Sequence, residues 1–287
     1  MMKPTQTGAW IVAVLSLLLG YGPALAESKN RIETENLIVE WIDGASADAI
    51  AAAQLEGEKF FAAVGEMLGH EPHHKITILL RGPAEQPDGS WGYPHVDSTG
   101  RVHLFRFGPT HHSYLSSLAH ELVHVFRIHR RSNADWFFEE GFAEFVALHV
   151  DPSLCGFPWY EFPVALAAGQ WFARDEAIPL TVLRQQHRRL NLPCKAQSYT
   201  LRSSFFYFLG QRYGDDLVLQ MAQQSRAGAL EDYRRFFGTD FEALLGEWQE
   251  SLVSEYRATE DAEEQARRYR QETPIQYMEI CQSGTQF

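Results

Sequence analysis

The sequence predicts an α+β protein. A small mixed β-sheet with a helix should come first, then a pair of helices, then a mostly helical C-terminal half. Three observations carry this. Short β-branched and apolar runs, residues 36–42 (NLIVEWI), 75–80 (KITILL) and 101–107 (RVHLFRF), fall early in the chain. An Ala-rich segment with helical apolar spacing separates the first two. From residue 113 onward the apolar positions recur mainly with helical period.

Taken in order, residues 1–26 read as a secretory signal. Lys3 is the positive region, residues 9–19 are an apolar run of eleven, and Ala24-Leu25-Ala26 is a small-x-small cleavage pattern. The run is short for a membrane span, and no later stretch is long and apolar enough to cross a bilayer. The chain is therefore expected to be exported, periplasmic or secreted, with no stable membrane span after cleavage. Residues 47–68 then form a long helix, with Ser46 as its cap. Residues 81–92, rich in Gly, Pro, Asp and Ser, form a loop, and 98–100 a turn. Ser113 can cap a helix over 114–129 and Asp135 a second over 136–149, which Asp151-Pro152 ends. Further helices are expected at 164–172, 205–213, 217–224, 230–237 and 241–257. The expected division is 1–26 signal, 27–112 mixed β/α unit, 113–152 helix pair, 153–257 helical part and 258–287 polar tail.

Composition narrows the class. With 45% hydrophobic and 22% charged residues, the chain has the make-up of a globular protein. A formal net charge of -12 argues against a nucleic-acid partner, because phosphate neutralisation needs a basic surface. Cys155, Cys194 and Cys281 allow one disulfide, with Cys155–Cys194 the favoured pair, and none sits at C-x-x-C spacing.

The chemistry concentrates in residues 113–150. His120-Glu121-Leu122-Val123-His124 matches H-E-x-x-H, and Glu140 follows sixteen positions past His124 within Glu139-Glu140-Gly141-Phe142-Ala143-Glu144. Two His at i and i+4 lie one turn apart on one helix face, so both can reach one ion. A catalytic zinc takes three protein ligands and keeps a fourth position open. Glu121 is rotated about 100° from His120 and stands beside the ion, where it can take a proton from the attacking water and deliver it to the leaving amine. The third ligand should come from the second helix. Glu140 and Glu144 share a face there, while Glu139 points off it. If Glu140 is the ligand, Glu144 can orient a ligand His through its other ring nitrogen. Gly141 marks a place where two helices approach closely, since an interior helix Gly is otherwise unfavourable by about 1 kcal/mol. A third His in H-E-x-x-H-x-x-G-x-x-H is excluded, because positions 127 and 130 are both Arg.

HELVH followed by WFFEEGFAEF resembles the gluzincin metallopeptidases, most closely the small bacterial peptidase MA-like proteins. The membrane-alanyl-type aminopeptidases and thermolysin are more distant likenesses. The resemblance implies a thermolysin-like catalytic core, one Zn2+, and Glu140, the Glu directly before Gly, as third ligand with His120 and His124. It also implies a downstream Tyr that stabilises the oxyanion. Residues 198–214 (SYTLRSSFFYFLGQRYG) resemble the downstream helix of the peptidase MA-like group, with Tyr199 the candidate and Tyr207 behind it. No G-x-M-E-N string is present, so exopeptidase specificity is not implied.

The expected function is exported, zinc-dependent hydrolysis of peptide bonds in a peptide or protein substrate, with Glu121 as base. The rival readings are a gluzincin-like zinc- or partner-binding protein without turnover, and a zinc hydrolase of a non-peptide amide such as a cell-wall linkage. Residues 101–107 also stand where such enzymes hold an extended peptide on an edge strand. His70, His73, His74, His95, His103, His111 and His112 form no second ligand set by spacing and read mainly as surface residues.

Overall fold

The computed structural model describes residues 30–42, 45–83, 92–106, 117–128, 135–150, 164–184, 192–225 and 230–265. The signal segment, Ser113, the three cysteine side chains and the chain beyond residue 265 lie outside the described residues.

Strands β1 (Asn30–Glu33), β2 (Leu37–Trp41), β3 (Ile76–Pro83), β4 (His95–Val96) and β5 (Val102–Arg106) form one sheet in the order β1-β2-β3-β5-β4. The inner pairs are parallel and the outer pairs antiparallel, so the sheet is mixed, as the sequence predicts. Register aligns Leu37 with Ile76, Val39 with Ile78, and Leu80 with Leu104. Strand side chains alternate between faces, so these residues make one apolar face that joins the core. Helix α1 (Ala47–Leu68) lies on that face. Ser46 caps it by accepting from the Ala49 amide at 3.1 Å, and Gly69, at φ +68°, ends it. Its buried residues include Ala49, Ala53, Phe60, Phe61, Val64 and Leu68, one helical stripe.

Strands β1 and β4 were not expected. Four exposed residues in one and two half-buried residues in the other are too few to show a pattern of alternation. Their presence corrects the edge-strand expectation, since β5 is paired on both sides and β4 takes the edge.

Two helices follow, α2 (Leu118–Phe126) and α3 (Trp136–Val150). Asp135 accepts from the Phe137 amide at 3.0 Å, the capping role the sequence gives it. Helix α2 ends before the expected residue 129 because Arg127 already leaves helical geometry, at φ -99° and ψ 6°, while the expected start at 114–116 lies outside the described residues. The remainder is helical: α4 (Val164–Ala173), α5 (Leu180–Leu183), α6 (Leu192–Tyr213), α7 (Asp215–Gln224), α8 (Leu230–Phe237) and α9 (Phe241–Ala258). Helix α6 begins well before the expected residue 205. It packs against α3, α4, α7 and α9, and buries even its polar residues Ser198, Thr200, Ser203 and Ser204. Ser203 and Ser204 satisfy their hydroxyls on the carbonyls of Thr200 and Leu201, one turn back. A Ser-rich segment can therefore sit inside a helical core while its sequence reads as irregular. Among the described residues no helix is long and apolar enough to cross a membrane.

Candidate metal centre

Every residue of α2 is buried, and so are residues 137–148 of α3. Polar side chains on these helices therefore face protein, not solvent. His120, Glu121, His124, Glu140 and Glu144 are each exposed by 5% or less. Burying so many ionisable groups is unfavourable unless each finds a partner or a cation.

Three ligand-type atoms converge between the helices. His120 Nε2 lies 3.0 Å from His124 Nε2 and 3.2 Å from Glu140 Oε2, and His124 Nε2 lies 3.5 Å from the same oxygen. Bonds of about 2.0–2.2 Å to a tetrahedral ion place neighbouring donor atoms ~3.3 Å apart. The triangle has that size. His120, His124 and Glu140 thus form a buried group that could hold one metal ion. Two imidazoles and one carboxylate also suit zinc chemically.

The outer side of His120 faces a second carboxylate. Its Nδ1 lies 2.9 Å from Glu144 Oε1, so with an ion bound Glu144 can hold the remaining ring proton on Nδ1 and leave Nε2 to the centre. Burial alone would push the His120 imidazole down, but Glu144, Glu140 and Glu121 outweigh it and hold it well above its usual range. Carboxylates therefore outnumber cations here, and the centre favours a positive charge.

Tyr199 comes from α6. Its ring meets the His120 ring edge-on, with centroids 5.7 Å apart at 79°. Burial, and after it the carboxylates of Glu140, Glu121 and Glu144, push its phenol well above the usual range, so it stays protonated. Tyr207 is elsewhere, with Phe145 and His149. The close approach at Gly141 is made to α6: a Cβ there would meet the Arg202 carbonyl and the Phe206 ring at 2.8 Å. Any larger residue would push α6, and Tyr199 with it, away from α3.

Two features escaped the sequence. Arg127, only 1% exposed, pairs with Glu139, its Nη2 donating to Oε1 at 2.9 Å. It also donates to the Ala222 carbonyl and lies over the Phe138 and Phe142 rings. One side chain thus ties the end of α2 to α3 and α7. The available signal was a charge of each sign at the edge of an apolar run, Arg127 after LAHELVHVF and Glu139 after WFF. The second is the sheet cluster around His103, which is buried rather than on the surface. Arg81 Nε donates to His103 Nδ1 at 3.0 Å, and His103 Nε2 donates to Asp97 Oδ2 at 3.0 Å. His95 stacks on His103 with centroids 4.5 Å apart.

No protein-family model matches the chain, and comparison with curated proteins finds no match.

Proposed function

We propose that the protein is a zinc-dependent hydrolase that cleaves peptide bonds outside the cytoplasm. The observation that carries this reading is the convergence of His120, His124 and Glu140 on one buried point, at separations of 3.0, 3.2 and 3.5 Å. In this reading those three residues hold the ion, Glu121 is the catalytic base, and Tyr199 is the oxyanion donor. A divalent ion bound there supplies a Lewis acid and lowers the pKa of a water beside it.

The protein's own groups do the rest. Glu144 keeps the proton of His120 on Nδ1, so that Nε2 can act as a ligand. Glu121 follows His120 on α2 with its carboxylate buried in the same pocket, acting on both His120 and Tyr199. It takes the proton of the attacking water and returns it to the leaving amine. Tyr199 holds its phenolic proton and offers it as a hydrogen bond to the oxygen that gains charge in the transition state. The low exposure of these side chains strengthens each of these contacts.

The test uses purified protein, its zinc content and a mixed peptide library. One equivalent of zinc and cleavage that falls ~100-fold or more in Glu121→Gln, with zinc retained, is the expected result. Zinc without Glu121-dependent cleavage would instead favour a binding protein, or an amide other than a peptide.

A further inference from the structure

We propose that Arg202 is the fixed countercharge of the metal centre: a buried positioning residue that limits the grip on the ion and brings the loaded site to neutrality. The inference rests on the zinc-centre reading above. Arg202 is fully buried on α6, one turn after Tyr199. Its Nε donates to the Leu183 carbonyl at 3.0 Å, and Nη2 donates to the same oxygen, so the guanidinium is anchored to the end of α5. Its own carbonyl lies 2.8 Å from where a Gly141 Cβ would stand, which seats this turn of α6 beside the residue following Glu140. Burial pulls the guanidinium down from its usual value, while Glu140, Tyr199 and Asp135 hold its charge in place.

The pocket holds the carboxylates of Glu121, Glu140 and Glu144. Three carboxylates, one guanidinium and one divalent ion sum to zero charge. Without Arg202 the loaded centre would be net negative, which tightens the hold on the cation and blunts its Lewis acidity.

A purely structural arginine predicts the opposite sign, and the experiment therefore measures zinc affinity. Native protein, Arg202→Met and Arg202→Lys are compared by competition with a chromophoric chelator at fixed pH, with thermal melting as the check on folding. Arg202→Met should bind zinc at least ~10-fold more tightly, and Arg202→Lys should stay within roughly threefold of native. Arg202→Gln is neutral and can still donate to the Leu183 carbonyl, so it serves if the Met variant does not fold. Folded neutral variants that bind zinc equally or more weakly overturn the inference and leave the zinc centre standing. A native protein that binds no zinc overturns both.

Discussion

Two buried histidine–carboxylate clusters stand out among the described residues, one between α2 and α3 and one on the sheet at β4 and β5. They differ in how donors balance acceptors. Around His103 every contact pairs a donor with an acceptor: Arg81 donates to the ring, the ring donates to Asp97, and Asp97 also accepts from the amides of Thr99 and Arg101. That cluster is complete as it stands. Around His120 the Nε2 atoms of two rings and a carboxylate oxygen, three acceptors in their ligand form, face one another within 3.5 Å. Such an arrangement needs a shared proton or a cation, and the group could hold one metal ion. The contrast teaches that counting His and carboxylates does not locate a metal centre. The convergence of ligand-type atoms on one point is the better guide.

The largest effect should come from removing one ligand in the first cluster and comparing it with the second. His120→Ala or Glu140→Ala should weaken zinc binding by about a thousandfold or more. His103→Ala should leave the dissociation constant within roughly threefold of native. Equilibrium dialysis against a zinc buffer measures both. Comparable losses in the two clusters would break the comparison, since the sheet site would then be part of the centre.

The same contrast explains what could be read in advance. His120 and His124 are legible because i, i+4 spacing on a helix is a geometric statement, true before any packing is known. The α+β class and α1 were legible for a similar reason, since Ser46, Gly69 and the apolar stripe between them are local signals. The partners that complete the buried charges were not. Arg127 finds Glu139 on the next helix, and Arg202 finds the Leu183 carbonyl 19 residues away. Nothing in either neighbourhood of sequence points to the other. The start of α6 was hidden by its serines, whose hydroxyls bond back to the helix and so mimic the composition of a loop.

A smaller effect is expected from the Arg127–Glu139 pair, which borders the centre and is neutral without an ion. Glu139→Ala leaves a buried guanidinium without its carboxylate and should cost about 3–5 kcal/mol of stability. Arg127→Met with Glu139→Met removes both charges and fills the space, and should cost much less than that. Urea unfolding of the two variants gives the comparison. A double variant as unstable as the single one would show that the pair contributes by its own attraction, not by mutual neutralisation.

The smallest effect concerns pH and the self-sufficient cluster on the sheet. Burial pushes the His103 imidazole down, and Asp97 only partly restores it against the nearby His95 and Arg81, so the ring stays neutral in the fold below the usual histidine range. An unfolded histidine takes up its proton near pH 6.5. Between that value and the lower folded one, only the unfolded chain binds the proton. The contribution of His103 is therefore complete above about pH 6.5 and declines as the pH falls through that window, by roughly 1 kcal/mol per unit at most. Asp97 acts at lower pH. Burial pushes its carboxyl up, but hydrogen bonds from Thr99, His103 and Arg101 outweigh this and hold it well below the usual carboxylate range. Its contribution persists until the pH drops below about 4. His103→Gln can accept from Arg81 and donate to Asp97 but does not titrate. Its melting temperature should fall less than that of the native protein between pH 7 and pH 5.5, with the two converging in slope above pH 7. Parallel curves over the whole range would mean that His103 titrates alike in folded and unfolded chains, and that the sheet cluster is less closed than its hydrogen bonds indicate.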